Sequence, residues 1–131
     1  MADAEELTLR AFLKPSRKRR WVEALRSKRR AKATARFYHD FAADLDPRYF
    51  EQVPSSRASA AALYRTLREK GAPERCYVVS ARADLDGHEL DLRAVLEAIA
   101  AGGVGTLVSC VPGRLAYFEG EDPEDRYVLA R

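Results

Sequence analysis

The chain has 131 residues, of which 47% are hydrophobic and 33% charged: enough apolar material for a packed domain, and too much for a disordered one. Its net charge is +3, and two cysteines 34 positions apart exclude a disulfide framework, so packed, reduced thiols in a cytoplasmic protein are expected. The longest run without a charge, 98–113, is too short to span a bilayer and contains four glycines, and the acidic opening Met-Ala-Asp-Ala-Glu-Glu is no secretory signal, so no membrane partner is expected.

In chain order, Asp3 and Glu6 have the spacing of a capping box, and Leu7, Ala11 and Phe12 follow near helical period. A helix over 4–13 is expected, ended by Pro15. Ser16 is the expected N-cap of the next helix, whose apolar side is Trp21, Val22 and Leu25. Phe37, Phe41 and Leu45 form another i, i+4 row, about 130° away from the first at 100° per residue. One straight helix would face two directions, so a break near 27–30 is expected, with helices over 16–27 and 29–43. Asp46-Pro47 stops the second, and 46–55 reads as a surface loop anchored by Tyr49 and Phe50.

Ser55 or Ser56 is the expected cap of a further helix with Ala60, Leu63, Tyr64 and Leu67 at core spacing, closed by Gly71 and Pro73. Residues 76–80 are β-rich, Asp86-Gly87 is a turn, and Asp91 caps a helix that buries Leu92, Val95, Leu96 and Ile99 and ends at Gly102-Gly103. The run 105–111 carries no charge and reads as a central strand covered on both faces. A Pro-Gly turn leads to a strand over 114–119, an acidic loop and a last strand over 126–130. The class is α+β: three or four N-terminal helices, then a mixed sheet of about four strands with one inserted helix. A single domain, 1–131, is expected, with a helical half (1–71) and a β-rich half (72–131) that share one core.

The sharpest functional signal is the charge distribution. Residues 14–36 hold eleven basic residues and one acid, a local +10, while the rest holds twelve basic and nineteen acidic residues, or −7. Arg17, Lys18, Arg19, Arg20, Arg26, Lys28, Arg29, Arg30, Lys32 and Arg36 are the candidate nucleic-acid contacts, because clustered cations gain from counterion release on phosphate. Trp21, Phe37 and Tyr38, interleaved with them, are suited to stack on bases if exposed. The competing reading makes the charges a solvated helix face and the aromatics core anchors. Two helices in succession also allow a helix-turn-helix, although no glycine marks the turn.

Other constellations carry less. Asp84, Asp86, His88, Glu89 and Asp91 crowd into eight residues, but the glycine follows the second Asp directly and a third early acidic ligand is missing, so this is a polar turn with a helix cap rather than a calcium loop. Residues 119–125 read as a solubilising acidic connection. Gly102-Gly-Val-Gly-Thr106 follows a helix, opens a strand and lacks the lysine of a phosphate loop. Cys110 beside Ser109 lies in an apolar strand, and the two imidazoles, His39 and His88, are in different halves. No catalytic set, metal site or cofactor is therefore expected. The leading expectation is a small non-enzymatic nucleic-acid-binding protein; the alternative is an interaction module whose basic helices dock on an acidic protein or a second copy. A third reading puts a metal-dependent or hydrolase-like enzyme at the 84–91 loop.

Overall fold

Asp3 accepts a hydrogen bond from the Glu6 amide at 2.9 Å and so starts α1 (Ala4–Phe12) as its spacing requires. The computed structural model describes residues 3–38, 40–100, 105–120, 122 and 124–131. The second helix, α2 (Lys18–Arg26), begins without a side-chain cap at Arg17. Ser16 does not cap it: the Lys14 carbonyl accepts from the amides of Arg17 and Lys18, and the backbone alone closes the first turn. The break falls where two divergent apolar rows demand it. Ser27 Oγ donates to the Ala24 carbonyl at 2.8 Å and accepts from the Arg29 amide at 3.1 Å, offering the backbone an alternative to continued helix.

Helix α3 (Arg30–Ala35) is much shorter than the 29–43 expected and passes into 3-10 turns at Arg36–Tyr38 and Ala42–Asp44. The tighter path lets Phe37 and Phe41, their ring centroids 4.3 Å apart, turn inward onto Trp21 and Phe118. The region 46–55 is more ordered than a loop, with 3-10 turns at Pro47–Tyr49 and Ser55–Arg57 around a short strand, β1 (Phe50–Gln52). Because Ser55 and Ser56 are used in that second turn, the cap of α4 (Ala60–Glu69) is Ser59, whose Oγ accepts from the Ala62 amide at 3.1 Å.

The remaining strands are β2 (Arg75–Ser80), β3 (Glu89–Asp91), β4 (Thr106–Val111), β5 (Leu115–Glu119) and β6 (Arg126–Ala130), with α5 (Leu92–Ala100) between β3 and β4, capped by Asp91. Among the described residues the sheet has six strands in the order β1-β6-β5-β4-β2-β3, and each neighbouring pair is antiparallel. It is therefore not the mixed sheet of about four strands; the class is α+β, and the two added strands are three-residue edges. The difference lies in the Asp86-Gly87 turn. Gly87, at φ 75°, reverses the chain into β3 before the helix, so the crossover joins β3 to β4 with β2 between them.

Period-two alternation then divides the core. Val78, Val108, Tyr117 and Val128 face α4 and α5, while their neighbours Val79, Leu107, Phe118 and Leu129 face α1, α2 and the aromatic cluster. The core is thus in two parts, one on each side of the sheet and each built from residues of both halves of the chain, and α4 lies apart from the other N-terminal helices. β4 is central, with Leu107 and Val108 buried and Val111 partly so. At the end of the α4–α5 face, Ser80, Thr106, Glu119 and Arg126 stand opposite one another across four strands.

Candidate nucleic-acid interface

The two short helices after Pro15 present the basic run in three different ways. Arg20, Lys28, Arg29 and Lys32 are exposed, and among the described residues none of them has an ion-pair partner. Arg17, Arg19, Arg26 and Arg36 are exposed but paired: Arg17 with Asp44 at 3.5 Å, Arg19 with Glu23 at 2.9 Å, Arg36 with Asp40 at 2.9 Å and Arg26 with Glu6. Such solvated pairs exchange partners at little cost. Lys18 is half-buried, and its charge adds a small share to the hydrogen bonds from Arg48 that lower the Asp46 carboxyl pKa.

Arg30 belongs elsewhere. Its guanidinium donates to both Asp86 oxygens (2.8 and 3.0 Å), both Glu5 oxygens (2.7 and 3.1 Å) and the Leu25 carbonyl (3.0 Å). These bonds raise its pKa, Asp86 contributing first and Glu5 next. It ties the start of α3 to α1 and to the β2–β3 turn, so its fork is spent inside the fold.

Two furrows run along the outer side of α2 and α3. One, of about 330 Å³, is lined by Arg17, Arg20 and Arg36 together with Asp40 and Asp44; the other, of about 370 Å³, by Arg29, Lys32 and Arg36. Ala24 and Arg36 are common to both, so the furrows adjoin. The Arg36 guanidinium also sits 5.7 Å from the Trp21 ring centroid. That ring is no stacking platform: Trp21 is 3% exposed and Phe37 0%, and Trp21 Nε1 donates to Asp44 at 2.8 Å. Both are core anchors. The side chain of Tyr38 and the whole of His39 fall outside the described residues. With only six residues, α3 lacks the length of a recognition helix, which weakens the helix-turn-helix reading.

The acidic 84–91 loop is committed to structure. Asp84 pairs with Arg82 at 2.8 Å, which lowers its carboxyl pKa; Asp86 holds Arg30; Glu89 lies 3.8 Å from Arg75; and Asp91 caps α5. His88 is exposed. Among the described residues, no three His, Cys, Asp or Glu side chains are placed to hold a metal ion. In the second acidic segment Glu119 is not a solvated loop residue: it is buried and accepts from Tyr117 Oη at 2.8 Å and Arg126 Nε at 3.2 Å. Burial, and then Glu119, push the Tyr117 phenol up. Glu121, Pro123 and the glycine run 101–104 lie outside the described residues. Cys76 and Cys110 are free and buried, and burial pushes both thiols up to about 12.

The row Ser80–Thr106–Glu119–Arg126 was not anticipated from the sequence. Its only trace there is a polar residue at the end of each of four apolar strands. Compared with known protein-family models, curated proteins and solved structures, the chain matches none.

Proposed function

We propose that this protein binds nucleic acid through the phosphate backbone, along the outer side of α2 and α3, without reading base sequence. The observation that carries this reading is the set Arg20, Lys28, Arg29 and Lys32, exposed cations with no ion-pair partner among the described residues; Arg20, Arg29 and Lys32 line furrows whose rims add Arg17 and Arg36. Unpaired clustered cations raise a local potential that a polyanion relieves by shedding condensed counterions. The buried positions of Trp21 and Phe37 refine the substrate class. Without these rings to reward splayed bases, a single strand gains little over a duplex, and duplex phosphates offer the denser charge.

The test is fluorescence anisotropy with mixed-sequence duplex and single-stranded oligonucleotides over a salt series. Expected is micromolar duplex affinity, weak sequence dependence and a log–log salt slope of about 0.9 per phosphate neutralised. Changing Arg20, Lys28, Arg29 and Lys32 together to Gln should flatten that slope. Absence of duplex binding at about 50 mM salt, a concentration at which phosphate contacts are strong, overturns the reading.

A further inference from the structure

The register of β2 against β4 sets Tyr77 opposite Ser109, Val78 opposite Val108 and Ser80 opposite Thr106. The paired residues end at Tyr77 and Ser109; continued by one position, the same register would set Cys76 opposite Cys110, and both lie in one core cluster. The Ala81 amide donates to the Gly105 carbonyl at 3.1 Å, which makes 81 and 105 a hydrogen-bonded pair. Alternation then makes Ser80/Thr106 and Val78/Val108 non-hydrogen-bonded pairs, a type whose Cα atoms are about 4.5 Å apart, and puts Cys76 and Cys110 at the next such position, where Cys76 Sγ donates to the Leu90 carbonyl at 3.5 Å. How closely such side chains meet is visible at the other end of the ladder, where Ser80 Oγ and Thr106 Oγ1 are 2.8 Å apart. A disulfide spans Cα separations of about 4.4–6.8 Å, a range whose short end is the spacing of non-hydrogen-bonded pairs.

Two further observations support closure. Both thiols lie in the same part of the core, between the sheet and α4–α5. Cys110 is also the extra residue of a bulge, since Ser109 and Val111 face the adjacent residues Ala116 and Leu115 on β5. Its backbone is therefore less tightly tied to β5 than a regular ladder residue, and can take up the small adjustment a disulfide dihedral requires.

We propose that Cys76 and Cys110 form a reversible cross-strand disulfide site, closed by exchange with a low-molecular-weight disulfide such as oxidised glutathione. One cysteine, as thiolate, attacks the small disulfide. A protein–glutathione bond forms, the glutathione S–S bond breaks, and the departing thiolate takes up the proton lost by the cysteine. The second cysteine attacks the bonded protein sulfur in the same way and releases a second glutathione. Two protein thiols are oxidised and one small disulfide is reduced to two thiols. Access comes from the edge: Cys76 pairs with Leu90 of the three-residue β3, and fraying of so short an edge strand uncovers it. This inference is independent of the nucleic-acid reading.

The test refolds the protein from denaturant in a glutathione redox buffer, blocks remaining thiols and weighs the intact chain. Expected is a loss of two hydrogen atoms with neither cysteine blocked. The thermal midpoint should rise by about 10 °C over the reduced protein, reversibly with dithiothreitol. Cys76→Ala and Cys110→Ala, each alone, should show no such rise. The proposal is overturned if both thiols remain blockable, if the chain carries two glutathiones, or if the internal bond leaves the midpoint at or below that of the reduced protein.

Discussion

Arg29 and Arg30 are neighbours in sequence with the same side chain, but the first is exposed without an ion-pair partner among the described residues and the second is forked between Glu5 and Asp86. Arg30→Gln should destabilise the fold by about 2 kcal/mol in urea unfolding. It strands the buried Glu5 carboxylate, while partial hydration of Arg30 and Asp86 keeps the loss below that of a fully buried pair. Arg29→Gln should stay within about 0.5 kcal/mol of the parent and instead weaken duplex binding. The reverse pattern would show that the clamp and the interface have been exchanged. No sequence reading could separate the two arginines, because Arg30's partners stand 25 and 56 positions away. Asp46 makes a pH prediction. Hydrogen bonds from the Arg48 side chain, and then from the Arg48 amide, hold its carboxyl at about 2, below the ordinary 3.8. A carboxyl whose folded pKa is depressed contributes its stability in full above the ordinary value and loses it as pH falls through the folded one. Acid unfolding of the parent should therefore carry a component between about pH 4 and pH 2 that Asp46→Asn lacks; identical acid profiles would refute it.

Helix starts were legible where a cap acts alone, as Asp3 and Asp91 do, and were misplaced where the chain inserts a 3-10 turn, as at Ser55–Arg57 before the true cap Ser59. The long strands were legible because stretches of five or six residues rich in apolar side chains have few alternatives, and β4 and β5 are buried almost throughout. The three-residue β1 and β3 have no period to read; only their neighbours' ladders make them strands. The break at Ser27 was legible in the divergence of two apolar rows, whereas the early end of α3 was not, since it depends on Phe37 and Phe41 reaching Phe118 from the far end of the chain. β4 makes the firmest prediction of any element. Val108 is fully buried between β2 and β5, so Val108→Asp should prevent folding, because an unpaired charge in a dry core costs several kcal/mol. A soluble Val108→Asp chain with a cooperative melt would place the core elsewhere.

For the whole molecule, the basic helices α2 and α3 form part of one outer layer, and α4 and α5 lie across the sheet from them. This arrangement was only half legible: the charge asymmetry marks the segment, but nothing in the order of residues says which side of a sheet it covers. If Arg20, Lys28, Arg29 and Lys32, which have no ion-pair partner among the described residues, serve a polyanion, their joint change to Gln should leave the sedimentation profile at low salt unaltered. A changed profile without nucleic acid would mean that they meet acidic groups on a second copy instead. Should many copies gather on one duplex, as the proposed function allows, the sheet's two margins bear on the outcome. Such crowding raises local concentration, the condition under which an open ladder recruits its neighbour and grows into fibre. Here each margin is three residues long and carries acid: Glu51 on one side, Glu89 and Asp91 on the other. Meeting edge to edge, two copies would set carboxylates against each other along a contact too short to repay the repulsion. If the protein binds nucleic acid as proposed, copies would then coat the polymer as separate beads, densely spaced and still able to leave one at a time.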